Sequence, residues 1–389
     1  MEELKSSGYD LVYYNSETSR PRGNYSFSFK AYPEEFDCSF SNHVSNETSY
    51  FDFANILINA SEGIIQFLKD EVETEKPDLI IHSHLAAWGK LVALHFKVPS
   101  VTLFTTFILD QKIMLPYIRG LNVSKKSDFG HIGEAMLFHK RIRSLYSKIG
   151  LKHSPDLWDV YINKGDLNIL FILKDFQPNV EWFSDAHYLG YPTAIENVDT
   201  NRKADTVYVS MGTVVKTNTS FYQLCIEVLG EMDCKAIISV GSNELIKKLK
   251  NPYPKIEVVS YTDQKNVLKD SAIFITHGGM ASIHEAIYSH TPMIVIPTIP
   301  EQKFNADNVE KAGVGIHIKE KQVSYKSLKE AVNTIKESSS LYRNNIQALL
   351  DQVGDTPAEK SASLIISEFI ENKGKLSKSR DSIQLGHVE

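Results

Sequence analysis

His277, Gly278 and Gly279 follow the apolar run "AIFIT", and Ser282 and Glu285 come within the next six residues. A histidine ring offers N–H donors. Glycines let a bulky anion approach the backbone. Where a strand run gives way to a helix, the free N–H groups and the helix dipole favour a phosphate. The same spacing has a purely structural use. Ser282-Ile283-His284-Glu285 matches the capping box, in which both side chains serve backbone N–H groups at a helix start.

Two further stretches have the same character. "VSMGT" places Ser210, Gly212 and Thr213 at another strand end, with hydroxyl donors and a close backbone approach. "TIPEQKFNADN" places Glu301 and Gln302 just past the strand run "PMIVIP". A carboxylate accepts hydrogen bonds and an amide does both, so the pair could hold sugar hydroxyls from two directions. A polar loop is the competing reading for that pair taken alone. His82 and His84 alternate in "IIHSH", so a strand turns both to one face. A catalytic zinc needs three protein ligands, and no third is in view. Satisfied polar groups at a strand end are the simpler reading of both histidines. His84 is also a candidate general base.

Short apolar runs alternating with helical patterns must position these residues. Strand candidates in the first half are "YDLVYYN", "DLIIHS", "SVTLFTT" and "LNILFIL". In the second half they are "TVYVSMG", "KAIISVG", "IEVVSY", "AIFITH", "PMIVIP" and "VGIHI". Helical stretches lie between them, among them "FANILINASEGIIQFLKDEVE", "AAWGKLVALHFK" and "FYQLCIEVLGEM". The alternation predicts parallel sheets covered on both faces. The polar stretch 194–205 reads as the linker between two doubly wound units. Ligands in such folds bind outside the carboxyl ends of the strands. "TPAEKSASLIISEFIENK" predicts a last helix over 357–373, and the polar stretch 374–389 is expected to be disordered.

A chain of 389 residues with 42% hydrophobic and 23% charged residues can bury full cores. A formal net charge of −6 gives no general attraction to nucleic acid or to an anionic membrane. No apolar run approaches a membrane span and no signal peptide opens the chain, so a cytoplasmic protein is expected. Cys38, Cys225 and Cys234 are odd in number and irregularly spaced, which fits reduced thiols.

The stretch "FITHGGMASIHEAIYSHTPMIVIPTIPEQKFNADNVEKAGVGI" resembles the nucleotide-sugar signature of the inverting UDP-glycosyltransferases. It is most similar to their bacterial macrolide glycosyltransferase-like branch. "EKPDLIIHSHLAAWGKL", "VPSVTLFTTF", "VYVSMGTVV", "FYQLCIEV" and "YTDQKNVLKDSAIFITHGG" resemble the same family in the same order, so the likeness covers almost the whole chain. It implies an α/β protein of the GT-B fold, in which two Rossmann-like doubly wound domains face each other across a cleft. An acceptor-side domain is expected over 1–195 and a donor domain over 205–360. By position the resemblance sets Tyr261 and Thr262 against uracil, with Gln264 beside them. It sets His277, the backbone of Gly278 and Gly279, and Ser282 on the diphosphate. Ser210, Gly212 and Thr213 would line the same pocket. Glu285 would take the ribose hydroxyls, and Glu301 and Gln302 the sugar. The expected donor is a UDP-sugar, the acceptor a hydrophobic small molecule such as a macrolide or polyphenol, and no metal or bound cofactor is required. One departure is Ala281, where the family usually has Asn.

The resemblance also implies a general-base histidine in a Gly-His loop after a first strand, oriented by a carboxylate at a later strand end. The opening "MEELKSSGYDLVYYNSE" resembles the end of the family's first helix followed by its second strand, and Ser83 stands at the carboxylate position. The N-terminal domain is therefore expected to lack its first strand, either through an incomplete start or through rearrangement. Two functions follow as expectations. One is transfer of a hexose, glucose foremost, from a UDP-sugar to a hydroxyl with inversion. The other is a catalytically inactive nucleotide-sugar-binding fragment that has kept the donor pocket without the base. A UDP-sugar epimerase of the same fold is a third reading, against which the Glu301-Gln302 placement argues.

Overall fold

The computed structural model describes residues 2–15, 27–33, 50–108, 128–151, 163–192, 204–212, 219–354 and 356–383. The first half opens with a short helix α1 (Glu2–Ser6) and two strands, β1 (Val12–Asn15) and β2 (Ser28–Ala31). Helix α1 stops at Gly8, which sits at φ +90° and donates its N–H to Lys5 O at 2.9 Å. Helix α2 (Tyr50–Glu75), strand β3 (Ile80–Ser83), helix α3 (Ala87–Phe96), strand β4 (Ser100–Phe104) and helix α4 (Asp128–Lys148) follow. Strands β5 (Leu167–Leu170) and β6 (Ala186–Tyr188) close this half. The second half runs β7 (Thr206–Ser210), α5 (Thr219–Glu231), β8 (Lys235–Ser239), α6 (Asn243–Ile246), β9 (Ile256–Val259) and α7 (Gln264–Lys269). It continues with β10 (Ser271–Thr276), α8 (Met280–Tyr288), β11 (Met293–Val295), α9 (Pro300–Lys311), β12 (Gly315–His317), α10 (Tyr325–Glu337), α11 (Ser339–Leu350) and α12 (Ala358–Ile383).

All ten predicted strands are present. Strands β2 and β6 are additional; they are three or four residues long and carry no run that period-2 reading could find. The second-half sheet has the order β12-β11-β10-β7-β8-β9, every pair parallel. This is the doubly wound order, and its topological switch point lies between β7 and β10. Both strands are almost wholly buried, which explains their unbroken apolar runs.

The first half holds a four-stranded parallel sheet, β3-β4-β5-β6, and a separate parallel pair, β1-β2. Among the described residues no ladder joins the two. The small pair is fastened by side chains instead: Tyr14 donates to Glu71 on α2 at 2.9 Å, and Trp88 on α3 donates to Tyr32 at 3.1 Å. Leu57, Ile58, Ile64, Ile65 and Leu68 form the helical stripe that α2 buries against α3 and α4.

The two halves are not separate bodies. Phe104, Phe107, Leu173 and Phe176 of the first half share one buried cluster with Tyr208, Phe274, Met280 and Ile287 of the second. Helix α12 returns to the first half, where Ala362 and Ile366 pack with Leu4, Val101, Leu167 and Ile169. It also runs on to Ile383, past the expected end at 373. After Gly374 the segment "KLSKSRDSI" contains no proline and keeps good helix formers, so a formed helix propagates through it. The expected linker lies mostly outside the described residues. No helix of the described residues is long and apolar enough to cross a membrane.

Candidate functional site

Strands β7 and β10 are neighbours, with Ser210 paired to Thr276, so the two glycine-bearing strand ends emerge side by side at the switch point. Backbone geometry shapes the floor there. Gly212 sits at φ +73° and Gly278 at φ +88°, a region that L side chains rarely enter. The His277 ring lies between two glycines. A Cβ at Gly212 would stand 2.6 Å from its Cε1, and one at Gly279 would stand 2.9 Å from its Nε2. Burial pushes the His277 imidazole down to about 4, so it is neutral at physiological pH and keeps one N–H donor.

Helix α8 starts at Met280, with Gly279 as its N-cap and no side-chain cap bond. The capping-box reading is therefore corrected. The helix begins three residues earlier than that reading requires, so Ser282 and Glu285 lie inside its first two turns. Both are held by one amide: Gln264 Nε2 donates to Ser282 Oγ at 3.1 Å and to Glu285 Oε2 at 2.7 Å. Gln264 is thus the hub of the polar wall. Tyr208 adds a long contact, its hydroxyl 3.5 Å from Gln264 Oε1. Tyr261 stands at the rim with 78% of its surface exposed, an open aromatic face. Thr262, next to it, is half-buried. Thr213 lies outside the described residues.

Glu301 and Gln302 open helix α9, but they do different things. Gln302 is buried, and its Oε1 accepts from the Thr298 N–H and hydroxyl, both at 2.9 Å, and from the Ile299 N–H at 3.3 Å. Its oxygen shapes the loop. Glu301 remains in contact with solvent, and its Oε1 accepts from Thr106 Oγ1 at 3.0 Å. Thr106 belongs to the first half, so this bond spans the cleft. The surrounding protein raises the Glu301 carboxyl above the usual range, while the Thr106 hydroxyl pulls it down.

Three contributors escaped the sequence reading. Asn305, fully buried on α9, donates from Nδ2 to Gly278 O at 3.0 Å and fixes the glycine turn. Its place one helical turn beyond Glu301 was the only signal. Tyr208 shares a strand face with Ser210, two residues on, which period-2 reading could have flagged. Thr106 gave no signal.

His82 and His84 are both buried and both pushed down to about 4 by burial. His82 lies 3.3 Å from Thr102 Oγ1. The His84 ring stacks on Phe104 at 5.3 Å, and its Nδ1 has no hydrogen-bond partner. Ser83 is exposed at the end of β3. Among the described residues no group of three or more His, Cys, Asp or Glu could hold a metal ion. Cys225 and Cys234 are free thiols, and Cys38 lies outside the described residues.

An uncapped helix start at a doubly wound switch point, facing a second α/β unit, is the place where folds of this class bind their ligands. Residues 165–366 match the family model described as "UDP-glucoronosyl and UDP-glucosyl transferase". The chain belongs to this family and is a glycosyltransferase. It is 26% identical to the uncharacterized UDP-glucosyltransferase YojK of Bacillus subtilis, covering 96% of this chain and 93% of that one. It is 22% identical to the oleandomycin glycosyltransferase of Streptomyces antibioticus, covering 83% and 75%. The solved glycotransferase of kitacinnamycin superposes with a TM-score of 0.75 at 19% identity, covering 94% and 93%. That likeness shows the GT-B fold.

Proposed function

We propose that the chain transfers a hexose, glucose foremost, from a UDP-sugar to a hydroxyl of a lipophilic small molecule, with inversion and without a metal. The observation that carries this reading is the uncapped start of α8 between Gly212 and Gly278 at the switch point. In this reading the N–H groups of Gly279 to Ser282, the Ser282 hydroxyl and the neutral His277 take the diphosphate. They stabilise the charge that develops on the leaving group, as fixed dipoles in a water-poor site do well. Tyr261 and Thr262 meet the uracil. Glu285, aimed by Gln264, takes the ribose hydroxyls. Glu301 and the Gln302 amide nitrogen take the sugar, and the acceptor lies near Phe104 to Phe107. The relatives' names support the class of donor, and the oleandomycin enzyme supports testing macrolide acceptors.

A second reading is a nucleotide-sugar binder without turnover. Ser83 at the position of the orienting carboxylate favours it, as does the burial of His82 and His84. Calorimetry with UDP, beside a UDP-glucose transfer assay on macrolide and polyphenol acceptors with and without a chelator, separates the two. Binding with chelator-resistant transfer is the expected result. Binding without transfer selects the second reading, and no UDP binding overturns both.

A further inference from the structure

Helix α8 carries two sets of side chains with different partners. Ser282 and Glu285 meet Gln264 on the nucleotide side. His284 and Tyr288, one turn apart, meet the first half of the chain. His284 is fully buried. Its Nδ1 donates to Met280 O at 2.8 Å, within its own helix, and its Nε2 accepts from the Leu173 N–H at 2.9 Å. The two bonds require one neutral tautomer, with the proton on Nδ1. Leu173 is the residue before the short 3-10 turn Lys174–Phe176, which follows β5. The Phe176 and Tyr191 rings flank the imidazole at 5.4 and 5.5 Å, the latter stacked. Farther along, the Tyr191 N–H donates to Tyr288 OH at 3.2 Å, and Gly190 is bare where a Cβ would stand 2.3 Å from that oxygen. The helix that presents its N-terminus to the nucleotide is therefore held, by two side chains, to the backbone of the opposite domain.

We propose that His284 is a positioning residue that sets the register between the donor helix and the acceptor-side domain. This rests on the donor-site reading of α8. An aliphatic side chain of similar size would fill the space, but it would leave the Leu173 N–H buried without an acceptor. The 171–192 segment would then shift to find one. Such a shift moves the acceptor-side domain relative to bound donor and leaves the nucleotide pocket, built within the second half, as it was. Misplacement of reacting groups costs turnover more than affinity.

The test compares the wild type with His284→Met, which removes the acceptor, and His284→Gln, which places an amide oxygen near the Nε2 position. Hydrogen exchange is read over 171–176 and, separately, within 104–108 at Thr106 and Phe107, which meet α9; Ile108, whose N–H is bonded to Gln177 beside Phe176, is excluded. The expected result for His284→Met is faster exchange in both segments, a roughly tenfold fall in kcat and unchanged UDP affinity by calorimetry. His284→Gln should restore most of each. Faster exchange confined to 171–176, or kcat per folded molecule equal to wild type, overturns the proposal. If the wild type binds no UDP, the donor-site reading fails by itself. The exchange at Thr106 and Phe107 still decides whether His284 sets the register.

Discussion

Thr106 and Glu301 stand 195 residues apart in the chain and 3.0 Å apart in space, the hydroxyl donating to the carboxylate across the cleft. A neutral donor on a carboxylate contributes roughly 1–3 kcal/mol where water is scarce, and less where solvent reaches it, as here. Thr106→Val keeps the shape and removes the donor. We expect kcat/KM for UDP-glucose to fall about three- to tenfold. The acid limb of the pH–rate profile should move to higher pH, because the lost bond favours the ionised form of Glu301. A double-mutant cycle with Glu301→Gln should give a coupling of about 1 kcal/mol; a coupling near zero would show the bond to be idle.

Gln264 supplies both N–H groups of one amide to Ser282 and Glu285. Gln264→Glu exchanges the donor for a second carboxylate 2.7 Å from the first. Like charges at that range repel and push Glu285 out of position. UDP affinity by calorimetry should drop roughly ten- to a hundredfold, and Gln264→Ala should lose less. Equal losses for the two variants would mean that the charge of Glu285 plays no part.

Gly278→Ala meets two obstacles, a φ of +88° and a Cβ 2.5 Å from Val295 Cγ1. The left-handed backbone alone costs about 1–3 kcal/mol. The variant should denature at lower urea with an unchanged m-value. Gly354→Ala is the control, since its Cβ would meet nothing within 4 Å. Comparable midpoints for both variants would refute the strain argument.

His82, His84, His277 and His284 are each pushed from 6.5 to about 4 by burial. The unfolded chain therefore binds more protons than the folded one between these values. Stability is fully present above pH 6.5 and is lost as pH falls toward 4. For fully buried His284 the loss is on the order of 3 kcal/mol. Urea midpoints should be flat from pH 7 to 8 and fall between pH 6.5 and 4. The fall should be shallower in His284→Gln than in wild type. Parallel curves would exclude His284 as a contributor.

The legible parts of this molecule are local ones. A buried parallel strand leaves a run of Val, Ile and Phe, and a strand end that meets an anion leaves glycines. Hence β7 and β10 and the turns at Gly212 and Gly278 could be read directly from the residues. Gln264 came from resemblance alone, since an isolated Gln has no pattern, whereas Glu285 and Glu301 were visible as half of a capping box and half of an acid–amide pair, with their nucleotide and sugar roles added by resemblance. What could not be read were partners. Periodicity gives the face of a helix and not what meets it, so the pairing of Leu173 with His284, 111 residues away, was invisible. The capping-box spacing was present and unused, because the helix had already begun at Met280.

Helix α12 completes the core of the domain that is made first. Leu4, Val101, Leu167 and Ile169 have no full cover until Ala362 and Ile366 have left the ribosome. The cluster under α5 and α10 in the second domain draws on no residue later than Tyr342 and on none from the first half, so that face can close before α12 is made. We therefore expect the first domain to complete its core after that face of the second has closed. A chain cut at Gly354 should leave β7–β12 resistant to protease while the β3–β6 sheet becomes the site of cleavage.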